Sequence, residues 1–532
     1  MPTARTVRSV TAILFALSLT ACGSGGGGDD DDDAPKPPPT EEPAPNPDPK
    51  PDPDPDPKPG DEQVIEGAIV VPDGAQANDP AAKAKMKVAL LQTSAQVTAS
   101  ATCEGVPTGY VPVANATISF ATDDNQPSGV TAQTDACGAF SATVPGDISY
   151  ATATAAGYKA ITVPVTTFTQ DSGDKPATLS VLPDLPDAGY EIASLQWTDS
   201  KLYFTVVDTI TNKAVLGVPS TSITYTVNGG KASDLKSLNY AASQVDGNAS
   251  VALALDASGS MYSGIYDSSF NPVLDENGER LTAMRMTARA AHTFLDGKNA
   301  TDEVGFDIFD HRSLWIDKAF WETQNLVTGP KDAAQPYQPV YDDAGFNADV
   351  DASRLAVDFY NNASALWFSY YGSPDPLHSS LPDTLRVNGN FYPWGGGTTA
   401  YDAAEMARQK VEARSNARKI VVLMSDGMDG GSSETPDSLI AKFKQSNIPL
   451  WTVAFGSSVS EEILKRLADE TGGHYISSID QSQLQSEFAA MQTGIVFQYI
   501  GELNQSSLPA DAELNVNLDF GSLTAERSLV VQ

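Results

Sequence analysis

Residues 251–255, Val-Ala-Leu-Ala-Leu, run without a polar break into Asp256. A strand with one wet face alternates apolar and polar residues, whereas a strand apolar on both faces must be covered on both. This run is therefore predicted to lie inside a sheet with helices on either side. "KIVVLM" at 419–424 repeats the signal, and "VGFDIF" at 304–309 and "LWTVAFG" at 450–456 come close to it. The intervening segments have helical spacing. Leu281, Met284, Ala288, Ala291 and Leu295 share one face, as do Ala400, Ala403, Ala404, Ala407 and Val411. Further helices are expected over 439–447, over 458–473 with Ser458 and Glu461 as a capping box and Gly472 as its stop, and over 481–492. "HYIS" at 474–477 reads as a last short strand. Repeated strand–helix units specify a doubly wound α/β sheet, mostly parallel, over about 249–495.

The rest of the 532-residue chain is of other kinds. Residues 64–187 are rich in Thr, Ala and Val with Gly, Pro and Asp punctuation, the pattern of short strands. Within them, Thr134, Asp135, Gly138, Phe140, Pro145, Gly146, Tyr150, Gly157 and Tyr158 follow T-D-x-x-G-x-F, a stretched P-G-x-Y and Gly-Tyr. This resembles the carboxypeptidase-regulatory-like β-sandwich, which implies a spacer domain. Residues 188–248 are again strand-like, with Thr-Asn and Gly-Gly turn dipeptides, but too short for a good core of their own. The C-terminal segment 496–532 is strand-like as well. We expect 188–248 to pair with 498–532, forming a β-sandwich split by the α/β domain.

The N-terminus reads as an export signal. Arg5 and Arg8 precede the apolar run "VTAILFALSLTA", too short for a stable membrane span. Leu19-Thr20-Ala21-Cys22 resembles the lipobox of bacterial lipoproteins. That resemblance implies a signal peptide over 1–21, acylation of Cys22 and membrane contact through this lipid anchor only; Gly23 favours sorting to the outer membrane. Residues 22–63, Gly-rich, then acidic, then alternating Pro-Asp and Pro-Lys, have the composition of a disordered linker or stiff stalk. With Cys22 lipidated, Cys103 and Cys137 remain as an even pair in an exported chain and read as a disulfide. The formal net charge of −35 argues against nucleic acid as a partner.

In doubly wound sheets ligands sit beyond the carboxyl ends of the strands, where the strand order reverses. The first buried strand ends in Asp256-x-Ser258-x-Ser260. "KIVVLM" ends in Ser425-Asp426-Gly427, and "WGGGTTAYDAA" brings Gly395–Gly397 and Thr398 ahead of a helix. Two acids and three hydroxyls are thus expected on one rim. The order D-x-S-x-S, Thr after Gly-Gly, then Asp in an S-D-G turn resembles the von Willebrand factor A domain with its metal-ion-dependent adhesion site. Carried over residue by residue, the resemblance implies metal ligands Asp256, Ser258, Ser260, Thr398 and Asp426, some through water. The ion expected is Mg²⁺, or Ca²⁺ or Mn²⁺. Such a donor set suits a hard cation with a position left open for an acidic side chain of a protein partner.

Two departures from that family stand out. The loop after the first motif is lengthened; its acids Asp267, Asp275 and Glu276 form either a solvated hairpin or a second ion site. Residues of about 321–394 are an insertion, dense in aromatics such as Tyr370, Tyr371, Phe391, Tyr392 and Trp394, which either pack on each other or make a specificity loop. There is no G-x-S-x-G, phosphate loop, HExxH or CxxC. An enzyme is not expected; hydrolysis would need His311 or His378 to fold onto Ser258. The expected function is divalent-metal-dependent protein binding or adhesion by a lipid-anchored outer-membrane protein, exposed at the surface or facing the periplasm. The alternative is an envelope scaffold in which the metal is structural.

Overall fold

The computed structural model describes residues 62–73, 75, 103, 106–107, 109–169, 177–241, 247–262, 272–274, 278, 281–323, 345–370, 397–425, 429–455, 461–478, 484–521 and 523–531. Residues 1–61 lie outside them, and with them the expected signal peptide, Cys22 and nearly all of the expected linker.

The first strands are β1 (Glu62–Pro72), β2 (Tyr110–Pro112), β3 (Thr117–Thr122), β4 (Pro127–Gln133), β5 (Ala139–Pro145), β6 (Ile148–Thr154), β7 (Ile161–Pro164) and β8 (Thr178–Ser180). One sheet joins β2, β1 and β5, with β8 parallel to β1; the other runs β4-β3-β6-β7. Strand alternation puts Phe140, Ala142 and Val144 of β5 inward and their neighbours out. The T-D-x-x-G turn has a plain local cause. Asp135 Oδ1 accepts the N–H groups of Cys137 and Ala139 at 2.8 and 2.9 Å. Gly138 has φ 73°, and a Cβ there would stand 2.4 Å from the Ile69 carbonyl oxygen. Cys103 and Cys137 are disulfide-bonded across 34 residues.

Next come β9 (Tyr190–Thr198), β10 (Lys201–Asp208), β11 (Ile223–Val227), β12 (Ser233–Asp234) and β13 (Ser237–Tyr240). The α/β region follows with β14 (Ala249–Asp256), α1 (Ala283–Gly297), β15 (Glu303–Phe309), β16 (Ser313–Trp315), α2 (Lys318–Thr323), α3 (Val350–Tyr370), α4 (Ala400–Glu412), β17 (Arg418–Ser425), α5 (Pro436–Ser446), β18 (Leu450–Phe455), α6 (Glu461–Thr471), β19 (Tyr475–Ser478) and α7 (Leu484–Val496). The chain ends in β20 (Tyr499–Glu502), β21 (Glu513–Phe520) and β22 (Leu523–Val530).

These last three strands return to the second block. One sheet has the order β13-β20-β10-β9 and the other β12-β11-β21-β22. Tyr203 lies opposite Ile500, and Tyr225 opposite Val516. Neither block has a complete sheet without the other. Where the first and second β-blocks meet, tyrosine hydroxyls hold the loop 214–218. Tyr499 donates to the Val215 carbonyl at 2.8 Å and accepts from Val218 N at 3.0 Å, while Tyr110 donates to the Ala214 carbonyl and Tyr240 accepts from Gly217 N. Burial raises the pKa of all three phenols, so they stay protonated.

The α/β sheet has the order β16-β15-β14-β17-β18-β19. Its strands are parallel except β16, which pairs antiparallel at one edge. Every residue of β14 is buried, as its unbroken apolar run requires. Val251, Leu253 and Leu255 face the layer of α1, α3 and α7. Ala252 and Ala254 face the layer of α4, α5 and α6 and meet the alanine stripe of α4, where two small surfaces let helix and sheet approach closely. Residues 321–394 do not lie wholly apart from the domain. Ala356, Val357, Phe359 and Tyr360 of α3 are buried in its core, because their spacing makes one apolar face that has to be covered. Tyr371, Phe391, Tyr392 and Trp394 are outside the described residues, as is the side chain of Tyr370.

At the end of the sheet where β17 begins, the buried Arg418 and the half-buried Arg527 tie the α/β region to the flanking β-sheets. Arg418 Nε donates to Gln498 Oε1 at 2.9 Å, and its guanidinium also reaches the carbonyls of Gly247 and Ile495. Those residues flank the two crossings of the chain between domains. Arg527 of β22 similarly donates to the carbonyls of Ala193 at 2.6 Å and Gly473 at 2.7 Å.

Candidate metal centre

The chain leaves β14 on one side to make β15 and β16 and returns to its other side as β17, so the strand order reverses at β14. Parallel pairing sets Leu255 against both Ile308 and Met424. One residue further on, Asp256 stands beside Ser425. Ser425 Oγ donates to Asp256 Oδ2 at 2.6 Å, and Ser258 N donates to Asp256 Oδ1 at 2.7 Å. The carboxylate is fully buried, and Ser258 and Ser425 are each 1 % exposed. Ala257 N bonds the Phe309 carbonyl at 2.7 Å, which stitches this loop to β15. A short 3₁₀ turn at Gly259–Tyr262 carries Ser260, which is exposed, and its Oγ lies 3.1 Å from Ser258 Oγ.

Thr398 arrives from another direction. It is nearly buried and precedes α4. Its carbonyl accepts Gly430 N at 2.9 Å, from the loop after β17. Its neighbour Thr399 bonds the Asp310 carbonyl through N at 2.8 Å and through Oγ1 at 3.0 Å. Asp402 then accepts the N–H groups of Ser433 and Glu434. The loops after β14 and β17 and the one before α4 are thus fastened to one another and to the end of β15. Asp256, Ser258, Ser260 and Thr398 share this rim. Asp426 follows β17 directly but lies outside the described residues, as do Gly427, Gly395, Asp267, Asp275, Glu276, His378 and Ser458.

The donors present fit a hard divalent cation. They are oxygens, with no sulfur among them. The two hydrogen bonds to the Asp256 carboxylate just given come from neutral groups, which orient it without cancelling its charge. Two oxygens at cis positions of an octahedral Mg²⁺ with bonds near 2.1 Å lie about 3.0 Å apart, and the Ser258–Ser260 hydroxyl pair is spaced at 3.1 Å. Among the described residues no three His, Cys, Asp or Glu side chains gather as a metal cluster; the expected set, with two acids, would not form one.

β15 and the residue just past it supply two further buried acids with no mark in the sequence. Asp310 is fully buried and meets Arg312 Nη2 at 3.1 Å and His311 Nδ1 at 3.1 Å. Asp307 accepts from Ser313 Oγ at 2.7 Å, while its Oδ1 finds no hydrogen-bond partner among the described residues. Burial pushes its pKa up to about 8. Ser425 was visible only as the neighbour of Asp426, and aligning the two parallel strands by their apolar runs would have found its contact with Asp256. Tyr360, whose hydroxyl donates to the Asp256 carbonyl at 2.6 Å, left no signal in the sequence.

Comparison with known proteins adds the family. The profile of the von Willebrand factor type A domain matches residues 377–490, a span that holds Thr398 and Asp426 and begins after the 256–260 motif. No curated protein matches. Among solved structures, proximal thread matrix protein 1 from the mussel byssus is 12% identical with a TM-score of 0.29, covering 49% of this chain and 48% of that one. The present chain therefore spans about half the length of that protein, which has also been solved with a zinc-occupied MIDAS motif. A von Willebrand factor type A protein from Catenulispora acidiphila is likewise 12% identical, with a TM-score of 0.29 and coverage of 65% of this chain and 74% of that one. The chain carries a von Willebrand factor type A domain, matched over residues 377–490.

Proposed function

We propose that this chain is a lipid-anchored outer-membrane protein that binds a partner protein through a divalent cation at the rim of its von Willebrand factor type A domain. The observation that carries the proposal is the exit of β14: a buried carboxylate oriented by neutral donors, next to two hydroxyl oxygens 3.1 Å apart. In this reading Asp256 and Asp426 contribute the negative charge, and Ser258, Ser260 and Thr398 add neutral oxygens. Mg²⁺ suits the set, with Ca²⁺ or Mn²⁺ as alternatives. When bound, the cation offers an open position to a partner's Asp or Glu carboxylate. Ser425 and the Ser258 N–H hold the Asp256 carboxylate in place, and the bonds of Thr398 and Thr399 hold the second loop against it. Cys22 carries the acyl anchor, and residues 22–63 space the folded part from the membrane. We read the chain as a binding protein and not an enzyme: Ser258 Oγ is engaged with Ser260 Oγ, and His311 turns its Nδ1 to Asp310.

The test is titration with MgCl₂ and MnCl₂ by calorimetry, with surface crosslinking and mass spectrometry in the presence and absence of EDTA. Asp256→Ala is expected to abolish metal binding and metal-dependent crosslinks while keeping the wild-type circular dichroism spectrum. Crosslinks indifferent to EDTA sink the proposal. A partner retained in EDTA by a protein whose melting temperature has fallen selects the scaffold alternative instead.

A further inference from the structure

Tyr360 is fully buried on α3 and belongs to the apolar layer beneath the sheet. Its ring fills space there as a phenylalanine would. Its hydroxyl does something a phenylalanine cannot: it donates to the main-chain carbonyl of Asp256 at 2.6 Å, across 104 residues of sequence. Asp256 is the last residue of β14, where the ladder ends. The phenol thus gives that buried carbonyl a donor and ties the end of the strand to α3.

The same helix touches the site a second time. α3 packs on the Gly259–Tyr262 turn that carries Ser260, and along α1. It is pinned from outside by Phe320 of α2, edge-on to Phe359 at 5.4 Å between ring centroids. One rigid element thus bears on the carbonyl of Asp256 and on the turn that presents the hydroxyls.

We infer that Tyr360 is a positioning residue for the metal site: through the Asp256 carbonyl, its hydroxyl fixes the direction of the Asp256 side chain and of the turn bearing Ser258 and Ser260. This rests on the metal reading above. Groups that orient a metal ligand without touching the ion typically change affinity 10–100-fold when removed. Coupling is reciprocal, so a bound ion must also steady α3.

The test uses the full-length protein and Mn²⁺ alone as the probe, with free Mn²⁺ read by electron paramagnetic resonance and α3 amide exchange read by mass spectrometry. Tyr360→Phe keeps the ring and the packing. It is expected to raise the Mn²⁺ Kd roughly tenfold or more and to lose the slowing of α3 exchange that Mn²⁺ brings in wild type. Phe320→Leu is the control for packing alone: its melting temperature in EDTA falls while its Kd stays within about twofold of wild type. Tyr360→Phe binding Mn²⁺ with the wild-type Kd overturns the inference and leaves the metal site standing. Phe320→Leu weakening Mn²⁺ as much as Tyr360→Phe also overturns it, since the effect would then be one of general stability. Wild-type protein that binds no Mn²⁺ overturns the metal reading and this inference together.

Discussion

The ends of β14 and β15 lie side by side, and each carries a fully buried aspartate, yet the two acids are treated differently. Asp310, just past β15, is met by the guanidinium of Arg312 and the ring of His311. Its charge is compensated from within the chain, and its carbonyl holds Thr399. Asp256 receives Ser425 Oγ and Ser258 N, which point it but leave its charge. Asp307, inside β15, follows a third course: its raised pKa keeps it protonated through neutral pH. Burying a charged carboxylate is costly unless something compensates for it. An internal cation at Asp310 and a proton at Asp307 are two ways to supply that compensation, and a divalent ion at Asp256, as proposed above, would be a third.

The sharpest way to break this comparison is Asp256→Asn. The amide is isosteric; its oxygen can accept from Ser258 N, and its nitrogen can donate to Ser425 Oγ once that hydroxyl turns. Metal binding should vanish. In EDTA the variant should melt at or above the wild-type temperature, because a buried charge has gone. Added Mg²⁺ should stabilise wild type by about 2.7 kcal/mol at a hundred times Kd and the variant not at all. A variant that is less stable than wild type in EDTA would mean that the Asp256 charge is compensated internally after all.

Asp307 gives the next largest effect. Its folded pKa, about 8, lies above the unfolded value, so the folded state holds a proton that the unfolded chain releases. That contribution to stability is fully present below pH 4 and is lost as pH rises toward 8, by at most about 1.4 kcal/mol per pH unit. Asp307→Asn should remove this slope from chemical denaturation curves taken across that range. It should be more stable than wild type by a few kcal/mol at pH 8 and no more stable near pH 4. Arg312→Ala comes third. It strands Asp310 with fewer partners and should cost about 2 kcal/mol, equally with and without Mg²⁺; a cost seen only with Mg²⁺ would place Arg312 in the metal site instead.

Much of this was legible in the chain. The unbroken run of β14 announced a strand covered on both faces, and all its residues are buried. The alanine stripe of α4 announced its packing face. D-x-S-x-S is local, so its turn could be read from spacing alone. What escaped depends on distant parts of the chain meeting. Nothing in the sequence marks Arg418, yet it is fully buried, because the carbonyls of Gly247 and Ile495 converge on it only once the α/β region is threaded between the strands that precede and follow it. The segment containing α3 reads as an insertion ahead of the Thr398 loop, dense in aromatics. Tyr360 was hidden among them, and no periodicity in a sequence marks which buried tyrosine will find a carbonyl.

Ser425→Ala asks for the smallest difference, the change in its own penalty on adding Mg²⁺, and gives the finest resolution. It removes one neutral donor from the Asp256 carboxylate and leaves the Ser258 N–H in place. In the metal-free protein the loss of a hydrogen bond to a buried charged group should cost about 1.5–3 kcal/mol. With metal bound, the cation replaces part of what the hydroxyl did. Measured as a difference in melting free energy, the penalty should therefore shrink on adding Mg²⁺. At Asp310 no such shrinkage is expected from Arg312→Ala, because no ion takes over from the guanidinium. If the Ser425→Ala penalty instead grows with Mg²⁺, the hydroxyl acts mainly by aiming the carboxylate at the ion, and orientation outweighs charge at this rim.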